Sequence, residues 1–232
     1  MRANEFLTEI EAIPTWQYDG GRAALKDFNN INPSTLKQLP GTSEFAYAVE
    51  PLGYMTRLLI VDLKNNPTAA IAILELKNSE LPIGGKPLEV ESITVDENYR
   101  GRGLAKALYT IVLTIMKRPL IAGEAQTPGG RRNWISITSM PGVEVKGVLQ
   151  LSNSTLNVHQ LAKGKTTEKH VDNTIDQIMQ LGGQYLSKDK YSTYWAFDVV
   201  PGKGQLQPHV KNSLSKIYGY DSPTTLVARW VG

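Results

Sequence analysis

The chain has 232 residues, a net charge of +3 and no cysteine. That length suits one large domain, or a domain with an appendage, and the composition, 41% apolar and 20% charged, is enough to bury a core, which excludes wholesale disorder. A cysteine-free chain has no disulfide, thiol nucleophile or thiolate metal site, and so mild a charge gives no strong electrostatic case for nucleic acid.

The opening "MRANEFLTEI" carries charges and no long apolar core, so it does not read as a secretory signal. No run of about eighteen apolar residues predicts a membrane span. A cytoplasmic protein that meets no membrane is the expectation. Residues 1–43 read as an irregular or helical lead-in. Within it, Ala24, Leu25 and Phe28 stand at the spacing of a short helix, and "INPSTLKQLP" offers a helix start.

From Glu44 the pattern turns to strands: "FAYAVEP", then "TRLLIVDLK", ended by Asn65, Asn66 and Pro67, then "TAAIAILELK". The break between the last two runs reads as a hairpin turn. "LPIGGKP" is a loop, and "LEVESITV" is a strand with glutamates among β-branched residues. These strands suggest an antiparallel meander. "RGLAKALYTIVLTIMKR" is a helix by the recurrence of Leu104, Leu108, Ile111 and Ile115, with Lys117 and Arg118 in its last turn and Pro119 ending it. "LIAGEA" follows as a short strand, so strand, helix and strand form a βαβ unit with parallel pairing.

Beyond Gln126, "QTPGGRRNW" is a loop leading into a short helix and "VEVKGVLQL" a strand. Residues 162–170 are polar and loop-like. "VDNTIDQIMQL" is a helix that aligns Ile175, Ile178 and Leu181, with Asp172 as a candidate cap and Gly182 and Gly183 as its stop. "YSTYWAFDVV" is a strand, "PGKGQLQP" a loop, "HVKNSLSKIYG" a helix and "TTLVARW" a closing strand.

The chemistry concentrates in "ITVDENYRGRGLAKALY", where a β-branched run meets a turn rich in Gly and Arg and a helix begins at once. A helix start offers unpaired N–H groups and a modest positive potential, and glycine lets the backbone close on a bulky anion. Together these are the requirements for holding phosphate. Arg100 and Arg102 add positive charge, useful as phosphate contacts or as solvated surface, while Asp96, Glu97 and Asn98 lie on the strand side. The turn has neither the Lys-Ser pair of a nucleoside-triphosphate loop nor the glycine spacing of the dinucleotide fingerprint.

"VDENYRGRGLAKAL" resembles the coenzyme-A-binding motif of the GNAT superfamily of N-acetyltransferases: Arg or Gln, two residues, Gly, one residue, then Gly or Ala. Here it runs Arg100, Gly101, Arg102, Gly103, Leu104, Ala105. The resemblance covers about residues 45–125. It implies an α/β fold with a mixed, mostly antiparallel central sheet flanked by helices, the βαβ unit carrying the CoA site. It implies one acetyltransferase-like domain over 1–232, with an insertion at 126–169 and an extension at 202–232. It also implies acetyl-CoA as co-substrate. Backbone N–H groups from Arg100 to Ala105 would hold the pyrophosphate, and the backbone of Ile93, Thr94 and Val95 would take the pantetheine arm. "AGEAQTPGGRRNW" is similar to a segment of acetyltransferase-like bacteriophage proteins; alternatively "RRNWISITSM" is the family's fourth helix. The family's Asn and Tyr signature of that region is not visible.

Acetyl transfer to an amine needs a proton acceptor, a proton donor to the leaving thiolate and a hydrogen-bond donor to the thioester oxygen, for which an N–H near Ile93 is placed. In a regular strand Glu89, Glu91, Ile93 and Val95 share a face, and a bulge would shift that parity. By resemblance the base is a glutamate of this strand, Glu91 ahead of Glu89, each of which reads equally as a solvated carboxylate. The acid by resemblance is a tyrosine. Tyr194 is the first candidate and Tyr191 lies on the same strand; Tyr109, inside the helix, reads as packing.

His159, His170 and His209 are scattered without metal-ligand spacing, and no metal is expected. No GxSxG elbow supports a serine nucleophile. Arg131 and Arg132 read as surface charge or as contacts to an acidic group, and Lys163, Lys165 and Lys169 as a basic loop without the clustered aromatics of a nucleic-acid surface. The expected function is acyl-CoA-dependent N-acyltransfer to a primary amine of unknown identity. Transfer of a longer acyl group is one alternative, and a non-catalytic CoA-binding or structural protein that keeps the fold is another. The resemblance leaves a homodimer open.

Overall fold

The structure is a computed structural model, described here over residues 25–123, 128–152, 169–188, 192–218 and 224–232. It divides into two units, one holding the described residues 25–76 and 91–108, the other residues 77–90 and those from 109 onward. The sheet is mixed and mostly antiparallel, with helices at its flanks, as the GNAT resemblance implies.

In the first unit the strands follow in sequence as neighbours: β1 (Lys37–Gln38), β2 (Phe45–Leu52), β3 (Met55–Asp62), β4 (Asn66–Asn78, through Leu76) and β5 (Leu88–Val95, from Glu91). β2 and β3 form an antiparallel hairpin with Phe45 opposite Asp62 and Leu52 opposite Met55. Its turn is Gly53-Tyr54, with Gly53 at φ 69°. Two-residue hairpin turns call for positive φ, which glycine supplies without strain. Leu59, Val61, Ala70 and Ile73 pack one core face with Leu25, Ile31 and Ala46, and Phe28 and Leu36 close over it. The lead-in therefore uses Leu25 and Phe28 as expected. The helix start in "INPSTLKQLP" yields a single 3-10 turn, Pro33–Thr35, whose cap Asn32 accepts the Ser34 N–H at 3.0 Å. Ala24 lies outside the described residues.

Helix α1 (Leu104–Thr110) starts where the glycine turn ends. The sequence predicts one α-helix through Arg118. Instead, Ile111–Ile115 is wound as π-helix, Met116 N–H reaching Ile111 O at 2.9 Å, and Lys117 takes a left-handed φ of 55°. The π stretch is rich in β-branched residues, which crowd a helix turn, and the Thr114 hydroxyl donates to the Thr110 carbonyl at 2.8 Å.

In the second unit the N-terminal end of β5 pairs in parallel with β6 (Leu120–Ile121), at Leu88–Leu120 and Glu89–Ile121, as a βαβ unit requires. Next to β6 stands β11 (Thr224–Trp230), then β7 (Val143–Ser152) and β9 (Ser192–Val200). Two short strands lie on β9: β8 (Gln184–Lys188), and β10 (Gln205–Leu206) within the expected loop "PGKGQLQP". β11 is antiparallel to both β6 and β7, so the last strand of the sequence sits inside this part of the sheet.

Helix α2 (Pro128–Ile137) begins at a proline, whose fixed φ suits the first helical position. Helix α3 (Lys169–Gln180) starts three residues before Asp172, which is therefore inside the helix rather than its cap. It stops as expected: Gly182 takes φ 78°, and Gly183 N–H returns to Ile178 O at 2.9 Å. Helix α4 (Pro208–Tyr218) contributes Val210 and Leu214 to a core with Leu149, Trp195 and Phe197. Among the described residues no helix is long and apolar enough to cross a membrane.

Candidate cofactor site

The residues singled out by the motif lie together in the first unit, on the C-terminal half of β5, the turn after it and the start of α1. After Val95 the chain makes a 3-10 turn, Glu97–Tyr99, whose cap Asp96 accepts the Asn98 N–H at 2.9 Å. Gly101 (φ 78°) and Gly103 (φ 79°) then follow in the left-handed region. A Cβ placed on either would meet nothing within 4 Å. Backbone torsion, not crowding, is what calls for glycine here, and the space beside both residues is open. Leu104, Ala105 and Lys106 open the helix, and the Ala107 N–H returns to the Gly103 carbonyl at 2.9 Å.

Both arginine side chains brace the turn. Arg100 Nε donates to the Val95 carbonyl at 3.3 Å. Arg102 Nη2 pairs with Glu44 Oε2 at 2.8 Å, its guanidinium 4.8 Å above the Phe45 ring and 5.5 Å from that of Tyr99. Phe45 and Tyr99 meet edge to face at 6.3 Å.

Beneath them the Tyr99 hydroxyl donates to Asp62 Oδ2 at 2.8 Å. The carboxylate of Asp62, a fully buried residue, also accepts the N–H groups of Lys64 (2.9 Å) and Asn65 (3.0 Å) and the Asn65 side-chain amide (2.6 Å). Burial alone pushes this carboxyl up. The hydrogen bonds from Asn65, Tyr99 and Lys64 outweigh it and hold the pKa down, at about 2. The same bond to Asp62, with burial, pushes the Tyr99 hydroxyl up. The glycine turn is thereby fastened to the β3–β4 turn.

β5 carries one residue more than β4 over the stretch they share. Asp96 N–H bonds to Ile71 O at 2.9 Å and Ser79 N–H to Pro87 O at 3.0 Å, so nine steps on one strand match eight on the other. Side chains repeat the shift: Ser92 bonds Glu75 at 2.9 Å, while Glu89 pairs with Lys77 at 3.0 Å. Buried and half-buried residues alternate without interruption from Leu74 to Lys77, so the extra residue belongs to β5, between Glu89 and Ser92. A bulge there puts Glu89 on the Ser92 side and ends the parity that a regular strand would give to Glu89, Glu91, Ile93 and Val95. Glu91 is exposed, and Ile93, Thr94 and Val95 are half-buried. The last pair of β5 with β6 is Glu89–Ile121.

The tyrosines considered for the acid are in the second unit or outside the described residues. Tyr194 is buried among Ile121, Val148 and Val227. Tyr191 and His159 fall outside the described residues, as do Lys163, Lys165 and residues 124–127 of "AGEAQTPGGRRNW". Tyr109 is packing, as expected: it is 1% exposed, its ring is 6.2 Å from that of Trp134, and burial pushes its hydroxyl well up. Arg131 and Arg132 are exposed on α2. Sequence reasoning missed Glu44, Asp62 and the structural part of Tyr99. The only local signal was the "DLKN" turn, where an Asp precedes two residues whose N–H groups it can cap.

Residues 25–126 match the model of the Acetyltransferase (GNAT) family. Three solved structures are similar to the chain. A Bacteroides thetaiotaomicron protein assigned to the GNAT family shares 10% identity, with 91% of this chain and 98% of that one covered at a TM-score of 0.25. Campylobacter jejuni N-acetyltransferase PseH, in complex with acetyl coenzyme A, shares 12%, with 86% and 94% covered at 0.21. Escherichia coli ElaA shares 12%, with 82% and 93% covered at 0.23. A search of the curated proteins found no match.

Proposed function

We propose that the protein is an acetyl-CoA-dependent N-acyltransferase that moves an acetyl group to a primary amine, on a small molecule or a protein, by direct transfer. The observation that carries this reading is the turn from Arg100 to Ala105, with two left-handed glycines beside open space, at a helix start, inside a GNAT-family segment. Such a backbone fits a diphosphate, which needs several N–H donors and no side chain in its way. Acetyl-CoA brings the activated thioester.

In this reading the backbone of Ile93, Thr94 and Val95 aligns the pantetheine arm, and an N–H near Ile93 donates to the thioester oxygen as charge develops there. The amine nitrogen bonds to the carbonyl carbon and the C–S bond breaks. Glu91 takes the amine proton, directly or through one water, and by the resemblance alone a tyrosine, for which the sequence offers Tyr194, protonates the departing thiolate. Glu91 is put ahead of Glu89 because Glu91 is exposed, whereas the Glu89 side chain is only 18% exposed. A homodimer and a bacteriophage-encoded member belong to this proposal through the resemblance alone, and a cytoplasmic setting through the cysteine-free composition. The burial of Tyr194 in an apolar cluster favours a second reading, a CoA-binding protein without turnover.

Titration calorimetry with CoA, followed by thioester loss from acetyl-CoA over a panel of amines, tests both. CoA binding with amine-dependent thioester loss supports the enzyme. Binding with no loss on any amine favours the second reading, and no binding overturns both. Glu91→Gln is expected to lower turnover about 100-fold at neutral pH with CoA affinity unaltered; a loss seen only with Glu89→Gln would move the base to Glu89.

A further inference from the structure

Arg102 holds the middle of the glycine turn, yet its guanidinium is already committed to a carboxylate. Glu44 is pinned at both ends of its backbone: its N–H donates to Thr42 Oγ1 at 3.1 Å, and its carbonyl accepts the Leu63 N–H at 2.9 Å. Its carboxylate is therefore presented from a fixed place. Arg102 reaches it on a long stem, across the shelf formed by Phe45 and Tyr99. The two side chains are 29% and 40% exposed, so the pair sits at the rim rather than in the core. An ion pair so exposed is weak, worth no more than about fivefold in an equilibrium. A diphosphate held by the Gly101–Gly103 backbone would bring more negative charge to Arg102 than one carboxylate does.

We infer that Glu44 is a competitor for Arg102: it occupies the guanidinium when the turn is empty, and an incoming diphosphate takes Arg102 from it. This rests on the CoA reading above and adds to it a residue that weakens cofactor affinity. The aromatic shelf lets the guanidinium change partner without leaving its stacking surface, so the exchange needs rotation of one side chain and no backbone movement. Glu44 lies 58 residues from Arg102 in sequence and outside the glycine motif.

The test is titration calorimetry of CoA into the wild-type protein, Glu44→Gln, Arg102→Gln and the double variant, at low and high salt. Glutamine keeps an acceptor for Arg102 but no charge. Glu44→Gln is expected to bind CoA about two- to fivefold more tightly at low salt, with the gain shrinking at high salt. In the Arg102→Gln background the gain is expected to vanish. Unaltered or weaker binding by Glu44→Gln makes Glu44 a brace and overturns the inference. So does a gain that persists without Arg102, which would be a general field effect. Wild-type protein that ignores CoA overturns the proposed function and this inference with it, whereas wild-type binding with an unimproved Glu44→Gln overturns this inference alone. Loss of fold in Glu44→Gln, seen as a collapsed thermal melt, also makes Glu44 a brace.

Discussion

Gly103 and Asp62 govern the same turn by different means. Gly103 stands at φ 79°, and a Cβ added there would have nothing within 4 Å, so Gly103→Val meets no clash and is charged only for its torsion. That costs about 1–2 kcal/mol, and a β-branched side chain would also stand where an anion approaches. CoA affinity is expected to fall at least about tenfold, while the thermal midpoint drops by a few degrees; unaltered affinity would remove the turn from the site. Asp62 acts through its charge. Its folded pKa of about 2 lies below the ordinary 3.8, so its contribution is complete above 3.8 and lost as pH falls toward 2. Acid unfolding of the wild type should therefore show a loss on the order of 1–2 kcal/mol across that window. Asp62→Asn is expected to be less stable at neutral pH and to lose that portion of the acid dependence, as read from denaturant midpoints at several pH values.

At the level of elements, what the sequence made legible was local. Alternation of apolar residues and the Gly, Asn and Pro breaks marked β2 to β5, and helical spacing marked α1 and α3. The bulge in β5 was left open, because "LEVESITV" contains no glycine and its extra residue is defined only against β4. The π stretch was hidden for a related reason: one added residue per turn leaves the apolar spacing of Leu108 and Ile111 nearly as an α-helix would have it. Where β5 leaves β6 there is little spare room. A Cβ on Gly123 would lie 2.3 Å from the Val90 carbonyl oxygen, a backbone atom that cannot rotate away. Gly123→Ala should wedge these strands apart and cost about 1–3 kcal/mol in a denaturant titration; a neutral substitution would mean that the strands separate without resistance.

For the molecule as a whole, the glycine motif is where the sequence points to the proposed cofactor, but the contacts that fix the motif were beyond the sequence. Asp62 and Tyr99 are 37 positions apart, and neither propensity nor periodicity carries information over that distance. The place of β11 between β6 and β7 was hidden likewise, since a terminal run such as "TTLVARW" reads the same at an edge as in the interior. Binding of CoA to the folded state alone should raise overall stability by about 2.7 kcal/mol at a hundredfold excess over the dissociation constant. For a chain of this size that is a rise of roughly 5–10 °C in thermal midpoint, and a scan with no rise at that excess would contradict the proposed cofactor. The hydrogen bond from Tyr99 to Asp62 has a kinetic meaning too. A receptor whose backbone is tied down in advance has no ordering step to wait for, so capture of its guest should run at the pace of diffusive encounter and correct orientation, about 10⁵–10⁷ M⁻¹s⁻¹.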